Sequence, residues 1–115
     1  MSVQFFTDTP KTLLNEFDKR IAQSEPKGKI NTWLKDGNYY THKADDWTKK
    51  AWFLPSVENG KLVFNIIKPK GQNVSTVVYG YYHGHLTETF LNHFDKSFDY
   101  ASSTALPVVG DHCSS

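Results

Sequence analysis

At 115 residues, with 38% hydrophobic and 22% charged side chains, the chain has room for one domain with a real core and not for two ordinary ones. No apolar run approaches the roughly 18 residues that a bilayer span needs, so no membrane segment is expected. A net charge of +1 and one cysteine, Cys113, leave no place for an intrachain disulfide framework or for the strong positive field of a general polyanion binder.

The N-terminus lacks a basic start followed by an apolar segment, and with the lone cysteine this gives the expectation of a cytoplasmic protein. Charge is unevenly spread. Residues 27–70 carry nine lysines against four acids, whereas residues 71–115 carry one lysine against four acids. The basic middle invites an acidic partner, but lysines that solvate the faces and edges of a small sheet explain it more simply.

In chain order, Val3, Phe5 and Phe6 open an apolar patch. Thr9-Pro10 reads as an N-cap with proline at the first helical position, where its missing N–H costs nothing. Leu13, Leu14, Phe17 and Ile21 recur at helical spacing, and Pro26 and Gly28 end this amphipathic helix. Lys29–Lys35 is a plausible strand, Asp36-Gly37 a two-residue turn signal, and Asn38–His42 the return strand. Residues Lys43–Lys50 form a loop anchored by Trp47, with Ala44-Asp45-Asp46 able to start a helical turn. A second hairpin follows: Ala51–Leu54, closed by Pro55, then the Asn59-Gly60 signal for a type I′ turn, then Lys61–Lys68. Its apolar residues are consecutive rather than alternate, so both faces of the sheet there are expected to be covered.

The stretch Val74–Phe94 changes periodicity midway. At a helical step Val74, Val77, Val78 and Tyr81 fall on one side, and Leu86, Phe90 and Phe94 on nearly the opposite side, so one straight helix would be greasy all round. The adopted reading makes Val74–Tyr82 a fifth strand and Leu86–Asp95 a helix, broken at Gly80 and Gly84. The rival reading is one helix capped by Ser75, along which Val78, Tyr82, Leu86, Phe90 and Phe94 follow every four residues.

The sum is an α+β domain over residues 1–109: an antiparallel sheet of four to five strands, two hairpins plus a fifth strand in the adopted reading, packed by an N-terminal and a C-terminal helix. Residues 110–115 form a tail expected to fray. Should both helices share one face, Trp52, Leu54 or their neighbours on the other need a cover: the tail, a second copy or a ligand.

Three functional readings arise. The first is a non-enzymatic domain that binds a protein partner or forms a homodimer through an aromatic sheet face, with Tyr39, Tyr40, Trp47 and Trp52 as contact residues. It needs no cofactor. The second is a zinc site or small metal-dependent enzyme at His83, His85 and Glu88, because two histidines two apart on a strand project to one side and zinc favours such nitrogen and oxygen ligands. Backbone amides at Gly84–Thr87, at the start of the expected helix, would offer an anion site there without metal. The third is single-stranded nucleic acid stacking on Trp33, Tyr39, Tyr40 and Trp52 between Lys35, Lys49, Lys50 and Lys61, which near-absent arginine and near-neutral charge disfavour. Asp111, His112 and Cys113 are the residue types of a nucleophilic triad, but sequence neighbours in a tail are not held as a fold holds a triad.

Overall fold

A computed structural model describes residues 2–112. The elements are β1 (Ser2–Phe6), α1 (Pro10–Ala22), β2 (Trp33–Asp36), β3 (Tyr39–His42), β4 (Trp52–Glu58), β5 (Lys61–Ile67), α2 (Thr76–Phe94) and β6 (Tyr100–Ser103). The strands form one antiparallel sheet in the order β2-β3-β4-β5-β1-β6. Strands β1 and β4 are thus parallel to each other with β5 between them, and β5 and β6 are parallel with β1 between them. The core of the fold is therefore two interleaved split β-α-β units, with the β2–β3 hairpin added at one edge. Among the described residues no helix is long and apolar enough to cross a membrane.

The α+β class stands, but the sheet has six strands rather than four to five, and Val74–Tyr82 is not one of them. That stretch belongs to the long helix α2, whose N-cap is Ser75: its hydroxyl accepts the Val78 N–H at 3.2 Å. Two irregular segments cover much of the greasy second side of this helix, although Val77 stays 70% exposed. Tyr81 stacks on Trp47 of the 43–50 loop at 3.7 Å between centroids, and the Tyr79 hydroxyl donates to the Thr104 carbonyl of the chain after β6. The inner row, Tyr82, Leu86, Phe90 and Phe94, faces the sheet and is buried.

The two extra strands are the flanks of the chain. In β1, Val3 and Phe5 point to the core and are fully buried, while Gln4 and Phe6 alternate to the other side. Strand β6, Tyr-Ala-Ser-Ser, has almost no apolar pattern and exists through its register on β1, Val3 opposite Ser103 and Phe6 opposite Tyr100. Two turns also differ from expectation. Asp36 pairs with Tyr39, so the loop residues are Gly37 and Asn38, and the positive φ of 63° falls on Gly37 as a II′ turn requires. In the second hairpin only Gly60 has positive φ, at 78°, so the turn is not type I′. Nor does Pro55 close β4, which continues to Glu58. Counted back in twos from the Glu58–Lys61 pair, position 55 directs its nitrogen away from β5, toward the β3 side, where β3 pairs with β4 only at Tyr40–Phe53. No ladder bond is lost there.

Both helices lie on one face. Phe17 of α1 meets Tyr40, Phe64 and Phe90 with centroids 4.9, 5.8 and 4.9 Å away, and Phe5 stacks on Phe90 at 4.1 Å. The other face carries the alternate residues. Part of it is covered by the chain end: the Asn65 amide donates to the Val109 carbonyl at 3.2 Å and to the Asp111 carboxylate at 2.8 Å, and His112 N–H donates to the Ile66 carbonyl at 2.8 Å. Residues 110–112, expected in a fraying tail, are thus tied to β5; Cys113 and the remainder of that tail lie outside the described residues.

Candidate functional site

On the outer face, Tyr39 of β3 and Trp52 of β4 meet nearly at right angles, their centroids 6.4 Å apart and their planes at 76°; His112 of the chain end reaches as far as the neighbouring Ile67. With Ile67, Asp36 and the Gly37-Asn38 turn they line an open cavity of about 510 Å³. Local sequence sets this up. Trp52 and Ile67 are directly opposite in the β4–β5 ladder, and the tight turn holds Asp36 opposite Tyr39, so one carboxylate and three large side chains share a corner. Tyr39 is 41% exposed, Trp52 half-buried, and Asp36 enters no ion pair among the described residues.

The four residues expected as one contact surface are split by the fold. Tyr39 and Trp52 are brought together. Tyr40, one residue on, points to the opposite face and is 1% exposed, so it is not a contact residue. Its hydroxyl donates to Asp18 of α1, which also receives Lys35 Nζ at 3.0 Å; burial first, then the Asp18 carboxylate, pushes the phenol well above the usual tyrosine range. Leu54 lines a smaller cavity beside this cluster with Leu14, Asp18, Lys35 and Tyr40. Trp47 is half-buried in the stack on Tyr81, and the Tyr82 hydroxyl donates to its carbonyl. It anchors its loop, as its isolation among polar neighbours suggests, and belongs to a different part of the surface.

His83, His85 and Glu88 do not converge. The two-apart spacing serves a metal on a strand, whereas on α2 it turns the histidines some 200° from each other. His83 is 5% exposed, its Nδ1 2.7 Å from the Tyr79 carbonyl and its ring 5.3 Å from Phe53. His85 stacks on Tyr81 at 3.9 Å, and Glu88 is exposed. Among the described residues no group of three or more His, Cys, Asp or Glu is placed to hold a metal ion. The amides of Gly84–Thr87 sit in the middle of α2 and are used by the helix, so the expected anion site is not at a helix start; the Thr87 hydroxyl donates to the His83 carbonyl at 2.9 Å and caps nothing. Of the tail residues Asp111, His112 and Cys113, Asp111 accepts from Asn65, Val108 and Ile66, while Cys113 lies outside the described residues.

A cluster that the sequence reading missed surrounds His42. Its Nδ1 accepts the Ala44 N–H at 3.1 Å, its ring lies 5.1 Å from those of Tyr81 and His85 and 5.3 Å from Trp33, and its buried Nε2 has no hydrogen-bond partner among the described residues. Burial, with His85 as the second cause, holds His42 below the usual histidine range. The signal was indirect: four ring-bearing residues from three elements converge only once the loop folds over α2. A second aromatic pair, Phe6 stacked on Tyr100 at 4.3 Å, occupies the far corner of the outer face, with Lys61 Nζ 5.9 Å over the Phe6 ring.

Three lysines of the basic middle meet acids or rings of the chain itself. Lys35 is paired with Asp18, Lys61 lies over Phe6 and 3.9 Å from Glu58, and Lys50 lies over Trp47. Compared with family models, curated proteins and solved structures, the chain has no match, so the reading of its site rests on its own residues.

Proposed function

We propose that the chain is a non-enzymatic binding domain whose outer sheet corner, centred on Tyr39 and Trp52, docks a protein partner. One observation carries this: both helices are spent on one face of the sheet, and Tyr39, Trp52 and Ile67 on the other line an open cavity that no element among the described residues covers. Its volume lies within the range of about 300–1,000 Å³ typical of sites that accept a side-chain-sized or larger group, and tryptophan and tyrosine are the residues that dominate interface energetics. The described lining residues, two aromatic rings, an isoleucine and one carboxylate, are of the kinds that hold a guest by contact. Against nucleic acid, the single charged side chain lining the cavity is the acid Asp36.

A photo-crosslinking residue at position 39, in cells that make the protein, tests this. A discrete adduct that is absent when the crosslinker is moved to exposed Val77 on α2, and that is lost in Trp52→Ala, is the expected result. Equal adduct patterns from positions 39 and 77, or none from 39, would rule the surface out.

A further inference from the structure

Resting on that reading, we infer that the Tyr39–Trp52 cavity receives a cationic side chain, a lysine or arginine presented by the protein partner. Both aromatic residues line the cavity, their rings 6.4 Å apart and nearly at right angles, and a cation held over either ring gains from its negative face. Asp36 adds a full negative charge at the rim and is the one ionised side chain among the six lining residues. An apolar guest gains nothing from that carboxylate, whereas a cationic guest is attracted by it.

The chain's own cations sharpen the argument. Arg20, Lys35, Lys50 and Lys61 lie over the rings of Phe94, Tyr40, Trp47 and Phe6 at 5.4, 5.7, 5.7 and 5.9 Å. Among the described residues no cation of the chain lies over Tyr39 or Trp52, although this is the pair with a carboxylate beside it. Two of these lysines also have an acid beside them, Lys35 at 3.0 Å from Asp18 and Lys61 at 3.9 Å from Glu58. The corner therefore has the charge and the ring faces for a cation that none of the described residues supplies. The guest is accordingly a basic group from outside, with its aliphatic stem lying against Ile67.

The test is a titration of the folded chain with choline and with its uncharged isostere 3,3-dimethylbutan-1-ol, followed by the indole N–H signal of Trp52, assigned by Trp52→Phe. Gly-Lys-Gly and Gly-Arg-Gly serve as side-chain probes. The expected result is a saturable shift of the Trp52 signal with choline and the basic tripeptides, weaker binding of the isostere, and a loss of about two- to fivefold in affinity for the cations in Asp36→Asn. Val57→Asn, distant from the cavity, should leave the affinities unchanged and controls for folding. If the isostere shifts Trp52 as strongly as choline and Asp36→Asn changes neither, the cationic guest is wrong while an apolar docking surface survives. If the Trp52 signal moves with protein concentration alone, a second copy fills the cavity and the inference fails. If no probe moves it, the inference also fails, and the crosslinking result decides separately whether a partner docks.

Discussion

The two faces of the sheet use aromatic residues for opposite ends. On the inner face Phe5, Phe17, Phe53, Phe64 and Phe90 are fully buried and touch one another through ring contacts that link β1, α1, β4, β5 and α2. On the outer face aromatic residues come in two isolated pairs, Tyr39–Trp52 and Phe6–Tyr100, at opposite corners of a field made polar by Gln4, Asn65 and the chain end. Buried rings that meet many partners make the fold; paired rings at a rim leave surface for something else. Composition alone, 15% aromatic, does not distinguish the two uses.

Substitutions should separate the faces. The largest effect is expected at the junction of sheet and helices: Phe90→Ala or Phe64→Ala should cost about 3–5 kcal/mol by urea denaturation, from lost burial and the cavity left behind. Tyr40→Phe should cost about 1–2 kcal/mol, because Asp18 keeps its charge and loses a donor. Its neighbour Tyr39→Phe should change stability by less than about 0.5 kcal/mol, since it is 41% exposed and no bond among the described residues holds its hydroxyl. A Tyr39 cost equal to that of Tyr40 would erase the contrast between the faces.

The His42 cluster adds a pH-dependent term to the inner side. An unfolded histidine titrates near about pH 6.5, and folded His42 lies below that value through burial and His85. Between the two values the unfolded chain binds more protons, so this stability is complete above about pH 6.5 and falls as the pH drops toward the folded value. His93, lowered by burial and by Arg20, acts in the same direction. The urea midpoint should therefore decline on acidification below about pH 6.5, and His42→Gln should flatten the decline. An unchanged slope would assign the effect to other groups.

How far the sequence reached depends on whether the signal was local. The amphipathic helix from Thr9-Pro10, the two hairpins and the Trp47 anchor were legible because spacing and turn residues carry them. The long α2 was misread because its second greasy side is covered by segments distant in sequence, the 43–50 loop and the stretch around Thr104, and no periodicity within the stretch announces them. Strand β6 was illegible because its register comes from β1 rather than from its own residues. Of the site, Tyr39 and Trp52 were visible as candidates. Which of Tyr39 and Tyr40 faces outward was not, because a one-residue change of turn register exchanges the faces of a strand. The nearness of Asp36 depends on that same register.

The most direct measurement is the reactivity of the three tryptophans toward a tryptophan-selective reagent, compared between the purified chain and native extracts of cells that make it. The account predicts that buried Trp33 resists modification in both, and that Trp52 reacts in the purified chain and becomes protected in the extract. Trp52 equally reactive in the two, or resistant in the purified chain, would contradict it.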